Sequence, residues 1–226
     1  MSTSWEERPM NENLKKIHDY LIDKGIDEDK LLWSDTSSVH LAMEIMEYAH
    51  RKQKRENGED YANHPARCLT NYRELIGIGP DGDGDMDKDL LYRYRIPFDG
   101  VQEVCLLHDV IEDTNLTINS IQEIYAYCGF EKYFEMYIKD ALERITHNKE
   151  VDYGEYIKIC LGNPISAIVK MMNLQDNLNI LSLVDFTEEK YHRAQGYLFW
   201  MFVINDAYHF IENVQDYKKV LKEENE

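Results

Sequence analysis

The chain has 226 residues and a formal net charge of −18, from 43 acidic and 25 basic residues. This length fits one domain, and the acidic surface repels phosphate backbones, so nucleic acid is not expected as a partner. No stretch reaches the roughly 18 apolar residues of a membrane span and the N-terminus has no apolar signal core, which predicts a cytoplasmic protein with no membrane partner.

The cysteines lie in apolar stretches and lack the C-x-x-C spacing of zinc sites; they are Cys68, Cys105, Cys128 and Cys160. They are expected to be small buried hydrophobic residues of a reducing compartment rather than zinc ligands or disulfides.

Apolar residues recur at helical spacing, and no alternating run with hairpin turn residues is present, so the predicted class is all-α. The predicted helices, in chain order, are Asn11 to Lys24, Ser34–Asp35 or Ser37 to about Glu56, Pro65 to about Ile76, Phe98 to Ile111, Thr117 to Tyr127, Glu131 to Arg144, Tyr153 to Cys160, Ile165 to about Leu181, and 187–222. An aspartate-rich segment at 79–89 resembles a calcium loop, but it has Met86 where that loop needs glycine. It is predicted to be a flexible surface loop.

The segment His108-Asp109-Val110-Ile111-Glu112-Asp113 follows an apolar helical stretch. On a helix, Glu112 shares the face of His108 and Asp109, and Asp113 lies one turn after Asp109. Three carboxylates with no cation among them repel one another, which a bound divalent ion would relieve. The alternative is a solvated acidic helix end or a structural ion-pair network.

Two further segments carry candidate residues. His64 precedes Pro65 and is expected to be extended, just outside a helix N-terminus, beside the densest cationic group of the chain, which consists of Arg51, Lys52, Lys54 and Arg55. Asn173 and Asn177 lie four apart in an apolar helical stretch, so their amides must find partners in the interior. Each segment also has a purely structural alternative, a helix end that complements the helix dipole or a pair of satisfied core amides.

The pattern H-x2-Q-x-R-x2-G-x2-Y-x2-H-P, then L-L-H-D-V-I-E-D-T, then V-K-x-x-N-L-x-x-N resembles the hydrolase domain of the RelA/SpoT family and its small alarmone hydrolases, over about Ser37 to Trp200. These are HD-domain metal-dependent phosphohydrolases. The resemblance implies an all-α, single-domain HD-type helical bundle spanning 1–226, with a core at about 37–200, on which the helices 11–24 and 187–222 pack. It also implies manganese-dependent hydrolysis of ppGpp and pppGpp to GDP or GTP and pyrophosphate.

The resemblance assigns roles to individual residues. One Mn²⁺ per chain is expected at His64, His108, Asp109 and Asn173; the catalytic acidic pair is Glu112 and Asp113; and the nucleotide substrate is bound by Arg55, Asn177 and Tyr197. Either acidic residue is expected to take or relay the proton of the attacking water.

Two positions depart from the family pattern. Asn173 stands where the family has an aspartate ligand, and Glu56 stands where many members have a lysine. The first change is expected to weaken metal binding unless Asp176, three residues later, supplies the carboxylate. Two other functions therefore stay open: an HD phosphohydrolase for another nucleotide, and a degenerate module that binds nucleotide or protein without turnover.

Overall fold

The computed structural model describes residues 15, 16, 19, 37–79, 91, 96–181 and 187–210. Residues 15, 16 and 19 are helical, and the rest of the predicted helix Asn11–Lys24 lies outside the described residues. The same holds for the acidic segment from 80 onwards and for 211–222 of the predicted terminal helix. Among the described helices, none combines the length and the apolar character that a membrane span needs.

The described residues are mainly helical and form no β-strand, only one isolated antiparallel bridge between Lys54 and Asp60. The predicted all-α class is confirmed. The helices are α1 (Ser38–His50), α2 (Asn63–Leu75), α3 (Val101–Leu107), α4 (Val110–Asp113), α5 (Ile118–Tyr127), α6 (131–145), α7 (Tyr153–Cys160), α8 (Pro164–Leu181) and α9 (Glu188–Tyr208). Helix α6 runs through a π-helical stretch, Phe134–Ile138, between two α-helical parts.

Helix α8 lies at the centre of the fold and packs against α2, α3, α6, α7 and α9. Its apolar side chains are fully buried around most of its circumference, including Ala167, Ile168, Val169, Met171 and Leu174. A helix that is apolar on nearly all sides belongs in the interior. The polar residues within it therefore lie in the core and need specific partners.

Helix α1 begins as predicted and ends early. The side chain of Ser37 accepts a hydrogen bond from the backbone N–H of His40 at 3.2 Å, so Ser37 is the N-cap. The predicted end near Glu56 is wrong, because the helix ends at His50. There Gln53 turns back, with its N–H 2.9 Å from the His50 carbonyl and its Oε1 2.5 Å from His50 Nδ1.

The predicted helix from Phe98 to Ile111 is divided. It begins at Val101, after Gly100 in the left-handed region at φ 80°, and is interrupted between Leu107 and Val110. The physical cause lies in the His108 side chain, whose Nδ1 is 2.8 Å from the carbonyl oxygen of Cys105 and competes with the backbone for this acceptor. The break leaves His108 and Asp109 at a junction between two helices.

The terminal helix also ends earlier than predicted. Helix α9 stops at Tyr208, because His209 takes a left-handed conformation at φ 56°. Phe210 then turns back into the core, where it is 1% exposed and stacks on the Tyr208 ring at 4.9 Å. The contact closes the helix much as a hydrophobic C-terminal capping contact does. The prediction of an uninterrupted helix from 187 to 222 is therefore wrong at 209.

Candidate active site

His64 lies in the first turn of α2 and is not in the extended position expected before Pro65. The helix already begins at Asn63, and the N–H of His64 donates to the carbonyl of Tyr61 at 3.0 Å. Pro65 is tolerated at the third position because the first backbone N–H groups of a helix have no intrahelical partner. His64 is 1% exposed, and its side chain faces α8 and the α3–α4 junction.

The two histidines are each fixed through Nδ1. His64 Nδ1 donates to Oδ2 of Asp176 at 2.6 Å, and His108 Nδ1 donates to the carbonyl oxygen of Cys105 at 2.8 Å. Both partners are acceptors, so Nδ1 of each imidazole carries a proton, and each Nε2 accepts from Nδ2 of Asn173. Metal-binding histidines are oriented in this way by their outer partners.

The Nε2 atoms of the two histidines point to one place. The rings meet edge to face with their centroids 5.2 Å apart, and the Asp109 carboxylate lies 3.5 Å from His64 Nε2 and 3.2 Å from His108 Nε2. Nδ2 of Asn173 lies 3.2 Å from His64 Nε2 and 2.7 Å from His108 Nε2. The four residues predicted as metal ligands are thus brought together.

The protonation states suit a cation. Burial lowers the pKa of His108 to about 4, so its imidazole is neutral near pH 7. Burial alone would raise the pKa of Asp109, but His108, His64 and a hydrogen bond from Tyr61 outweigh this effect and lower it to about 2. Neutral imidazole and ionised carboxylate are the forms that bind metals.

Asn173 fits the cation less directly than its neighbours. Its Nδ2 donates toward both imidazoles, while its Oδ1 accepts from Asn177 Nδ2 at 3.3 Å and lies 3.4 Å from Lys170 Nζ. An amide nitrogen is not a metal ligand, so Asn173 fits only after a half-turn of its amide that brings Oδ1 to the site. His64, His108 and Asp109 fit without rearrangement.

A buried thiol offers a second donor set. Ligand atoms of His64, Cys68 and His108 lie within 4.8 Å of one another. Burial raises the pKa of the Cys68 thiol well above its usual value, which disfavours the thiolate that binds metals. Its sulfur is 3.9 Å from His64 Nδ1, the nitrogen already bonded to Asp176, so the Nε2 side with Asp109 is the stronger site.

Residues of the first sequence motif, the one that ends in His64-Pro65, hold the carboxylates of Asp109 and Asp113 in place. The Tyr61 hydroxyl donates to Oδ2 of Asp109 at 2.9 Å and lies 2.6 Å from Oδ2 of Asp113, and burial raises its pKa so that it stays protonated. His50 stacks on the Tyr61 ring at 4.7 Å, and Gln53 Nε2 donates to the carbonyl oxygen of Asp113 at 2.8 Å. His50, Gln53 and Tyr61 therefore act through the residues that they hold.

Glu112 lies on α4, one helical turn after His108 and Asp109. Its Oε2 accepts from the backbone N–H of His147 at 3.2 Å. Burial is the main cause that raises the pKa of Glu112, and the charges of Asp109 and Asp113 add to it. The side chain thus has a higher proton affinity than an ordinary glutamate.

A cavity of about 240 Å³ opens beside this cluster. Apart from His108, all the predicted site residues line it, namely His64, Asp109, Glu112, Asp113, Asn173, Arg55, Asn177 and Tyr197. Arg55 donates through NH2 to Asn177 Oδ1 at 2.6 Å. The three sequence motifs therefore meet at one cavity.

The expected cationic group does not act as a unit. Arg55 lines this cavity, whereas Lys54 pairs with Asp60 at 2.5 Å and Arg51 stacks over the Tyr48 ring. Arg51 and Lys52 line a second cavity, of about 600 Å³. Glu56, the other departure from the family pattern, is exposed and lies 3.7 Å from Arg193 of α9.

Sequence reasoning missed a buried cation in the cavity. Lys170 is 9% exposed, and its Nζ lies 4.9 Å and 5.6 Å from the ring centres of Tyr156 and Tyr153. Burial lowers the pKa of this lysine. The signal was present, since a lysine within the apolar run Ile168-Val169-Lys170-Met171-Met172 has to be paired or functional.

No family model matches the chain. The chain is 24% identical over 177 residues to guanosine-3′,5′-bis(diphosphate) 3′-pyrophosphohydrolase MESH1 of Mus musculus, covering 74% of this chain and 82% of that protein. It is 27% identical over 158 residues to guanosine-3′,5′-bis(diphosphate) 3′-pyrophosphohydrolase of Aquifex aeolicus, covering 67% of this chain and 18% of that longer protein. The chain resembles the 3′-pyrophosphohydrolases.

Among solved structures, the chain is similar to a metazoan ortholog of SpoT that hydrolyses ppGpp, with a TM-score of 0.46 and 22% identity, over 77% of this chain and 88% of that one. The resemblance predicted from the three motifs is confirmed by the sequence matches to 3′-pyrophosphohydrolases. The role of each site residue stays a prediction.

Proposed function

We propose that this protein is a metal-dependent hydrolase that removes pyrophosphate from the 3′ position of ppGpp and pppGpp, leaving GDP and GTP, with manganese as the metal. The observation that carries the proposal is the convergence of two unprotonated Nε2 atoms, of His64 and His108, on the carboxylate of Asp109. The substrate is supported by the relatives, which are named for hydrolysis of guanosine-3′,5′-bis(diphosphate).

His64, His108 and Asp109 would hold the ion, and Asn173 would join them through Oδ1 after its amide turns. A bound divalent ion supplies a Lewis acid that activates water and polarises a phosphoryl oxygen. The half-turn of Asn173 would bring its Nδ2 toward Asn177 and Lys170, in place of the oxygen that now faces them. Asn177 and Lys170 would rearrange in the same step.

Glu112 is the preferred proton acceptor of the acidic pair. Its raised pKa brings it closer to neutrality, where a general base works best, and its side chain lines the cavity. One carboxylate oxygen of Asp113, Oδ2, already contacts the Tyr61 hydroxyl. We assign Glu112 to accept the proton from water, and Asp113 to hold Tyr61 against Asp109.

Two cations on the cavity wall would bind the charged part of the substrate. The side chain of Arg55 is 17% exposed and already anchored by Asn177, so its guanidinium is positioned for a phosphate. Lys170 lies between Asn173 and the rings of Tyr153 and Tyr156, and would act as a buried point charge. Tyr197 offers an aromatic ring to the nucleoside.

The test is a product analysis. The purified protein, loaded with Mn²⁺, is incubated with ppGpp, pppGpp, GTP and deoxynucleoside triphosphates, and the products are separated by anion exchange. His108→Ala is the inactivating variant, and Asp140→Asn, which changes an exposed carboxylate paired with Arg144, is the matched control. We expect GDP and pyrophosphate from ppGpp with the wild type and the control, and none with His108→Ala.

Other outcomes point to the alternatives. Release of phosphate products from another nucleotide, with ppGpp intact, would make the protein an HD phosphohydrolase of different specificity. Failure to bind Mn²⁺ and to turn over any nucleotide would indicate a binding module. Undiminished metal content in His108→Ala would remove the proposed metal site.

A further inference from the structure

Asp176 is a buried carboxylate in contact with a predicted metal ligand. It lies on α8, three residues after Asn173, and is 1% exposed. Its Oδ2 accepts the Nδ1 proton of His64 at 2.6 Å. A buried carboxylate is costly to retain unless it is fully paired, so its position calls for a reason.

Asp176 does not occupy the place of the missing carboxylate ligand. The two nitrogens of an imidazole point away from each other, and Asp176 bonds Nδ1 of His64 while Asp109 and Asn173 face Nε2. An ion on Nε2 is therefore out of reach of Asp176. The carboxylate therefore contacts the Nδ1 side of the imidazole and not the Nε2 side, where the ion is expected.

Two arginines hold the carboxylate in place. Arg67 contacts both oxygens, with Nε 2.5 Å from Oδ1 and NH2 3.2 Å from Oδ2, and Glu59 in turn bonds Arg67 at 2.7 Å. Arg55 NH1 lies 3.4 Å from Oδ2. Guanidinium N–H groups thus reach both oxygens, which is the arrangement of an ionised carboxylate.

The proton on His64 is decided by this arrangement. Arg67 and Arg55 are donors only, so the carboxylate between them can act only as an acceptor toward His64. The imidazole must then present Nδ1–H to Asp176, and its Nε2 faces Asp109 and accepts from Nδ2 of Asn173 at 3.2 Å. A carboxylate behind a ligand also raises the basicity of the imidazole.

We propose that Asp176 is a positioning residue, which fixes the Nδ1–H tautomer and the ring orientation of His64 and so makes Nε2 a metal ligand. Through its contact with Arg55 it also joins the metal ligand to the arginine assigned to substrate phosphate. The inference rests on the proposed function for the identity of the ion and deepens it by naming the group that prepares the ligand.

The experiment has a readout in the metal-free protein. Nitrogen NMR of the His64 imidazole reports which nitrogen carries the proton, in the wild type, Asp176→Asn and Asp176→Leu. Asparagine keeps an acceptor oxygen at the same place, so Asp176→Asn should retain the Nδ1–H tautomer. Leucine removes the acceptor, and Asp176→Leu should show mixed or Nε2–H tautomers.

Calorimetric titration with Mn²⁺ provides the second readout. Loss of an outer partner of a metal ligand costs about 10- to 100-fold in affinity, which is expected for Asp176→Leu, with a smaller loss for Asp176→Asn. Asp140→Asn, an exposed carboxylate on α6, is the control and should bind as the wild type does. The unfolding free energy of each variant is measured alongside.

The outcomes separate this inference from the proposed function. A wild-type protein with the proton on Nε2 of His64 overturns the role of Asp176 whatever the variants do, including a variant that fails to fold. Asp176→Leu with wild-type tautomer and Mn²⁺ affinity but lower stability shows a structural residue only. A wild type that binds no Mn²⁺ while His64 shows the Nδ1–H tautomer contradicts the proposed function and retains the positioning role.

Discussion

At the scale of single residues, the orientation of one amide bears directly on the proposed metal site. Asn173 presents its nitrogen to His64 and His108 and its oxygen to Lys170. In this state two hydrogen bonds take the lone pairs that a cation would use. Binding of the proposed ion would have to compete with these bonds, which a carboxylate at the same position could not make.

Asn173→Asp should therefore tighten Mn²⁺ binding, by about tenfold or more, because a charge-charge attraction is added and no amide has to turn. The side chain would also gain an ion pair with Lys170. Calorimetry measures the affinity, with Asn119→Asp on α5, outside the cavity, as the control for an added charge. Equal affinity in all three proteins would show that position 173 does not touch the metal.

Glu112→Gln tests the assigned proton acceptor. The amide preserves the shape of the side chain but cannot take a proton, so turnover of ppGpp should fall by about 10²- to 10⁴-fold while Mn²⁺ stays bound. Initial rates and metal content are measured on the same sample. Asp113→Asn serves as the comparison, and wild-type rates in both variants would assign the base to another group.

At the scale of helices, the π-helical stretch of α6 constrains the start of α3. Gly100 precedes α3 at φ 80°, and a Cβ atom built on it would lie 2.5 Å from the carbonyl oxygen of Tyr137 and 2.9 Å from its Cβ. Tyr137 belongs to the π-helical Phe134–Ile138. The glycine is required both for its backbone conformation and for this close approach.

Gly100→Ala is expected to lower the free energy of unfolding by more than the roughly 1–2 kcal/mol that a left-handed alanine costs by itself. Gly129→Ala is the matched control, because Gly129 has φ 81° and nothing within 4 Å of its added Cβ. Urea unfolding followed by circular dichroism gives both values. Equal losses in the two variants would mean that Tyr137 moves aside without cost.

The sequence predicted which helices form better than where they end. Repeated apolar positions defined Tyr153–Cys160 correctly, because a helix face is a local pattern. The ends at His50 and at the His108–Asp109 junction coincide with local side-chain hydrogen bonds, of His50 to Gln53 and of His108 to the Cys105 carbonyl, which periodicity does not contain. The positions of these two helix ends therefore require the three-dimensional structure.

The same distinction holds for the site. The three motifs predicted residues that line one cavity, because the order and spacing of these residues can be read directly from the sequence. Lys170 and Tyr61 were not assigned, because their roles follow from what packs against them: two tyrosine rings in one case and two carboxylates in the other. Asp176, the alternative carboxylate ligand, bonds Nδ1 of His64, on the side of the ring away from the proposed ion.

At the scale of the whole molecule, one buried acidic group makes stability depend on pH. Glu103 on α3 is 2% exposed, and burial raises its pKa above the ordinary value. A raised pKa means that the folded state binds the proton more tightly than the unfolded chain does. Stability is therefore lost as the pH rises from the ordinary glutamate pKa through the raised one.

Glu103→Gln removes this titration. The variant should gain stability relative to the wild type as the pH rises from acid toward 7, by about 1.4 kcal/mol for each unit of the raised pKa. Below the ordinary glutamate pKa, where the group is protonated in both states, the difference should be independent of pH. Denaturant unfolding over a pH series measures it, with Glu135→Gln, on the exposed side of α6, as the control. A difference that stays constant across the series would show that Glu103 does not titrate with folding.

The candidate ligands come from three separate parts of the chain: the first turn of α2, the α3–α4 junction and the central helix α8. His64 and Asn173 are 109 residues apart in sequence, so an ion shared by them would act as a crosslink across the whole fold. Ion concentration would then set the lifetime of the protein as well as its rate. At 100 times its dissociation constant, a ligand that binds only the folded state adds about 2.7 kcal/mol to stability. In a metal-starved cell, the protein would become a better substrate for proteolysis, and its abundance would follow the supply of the ion.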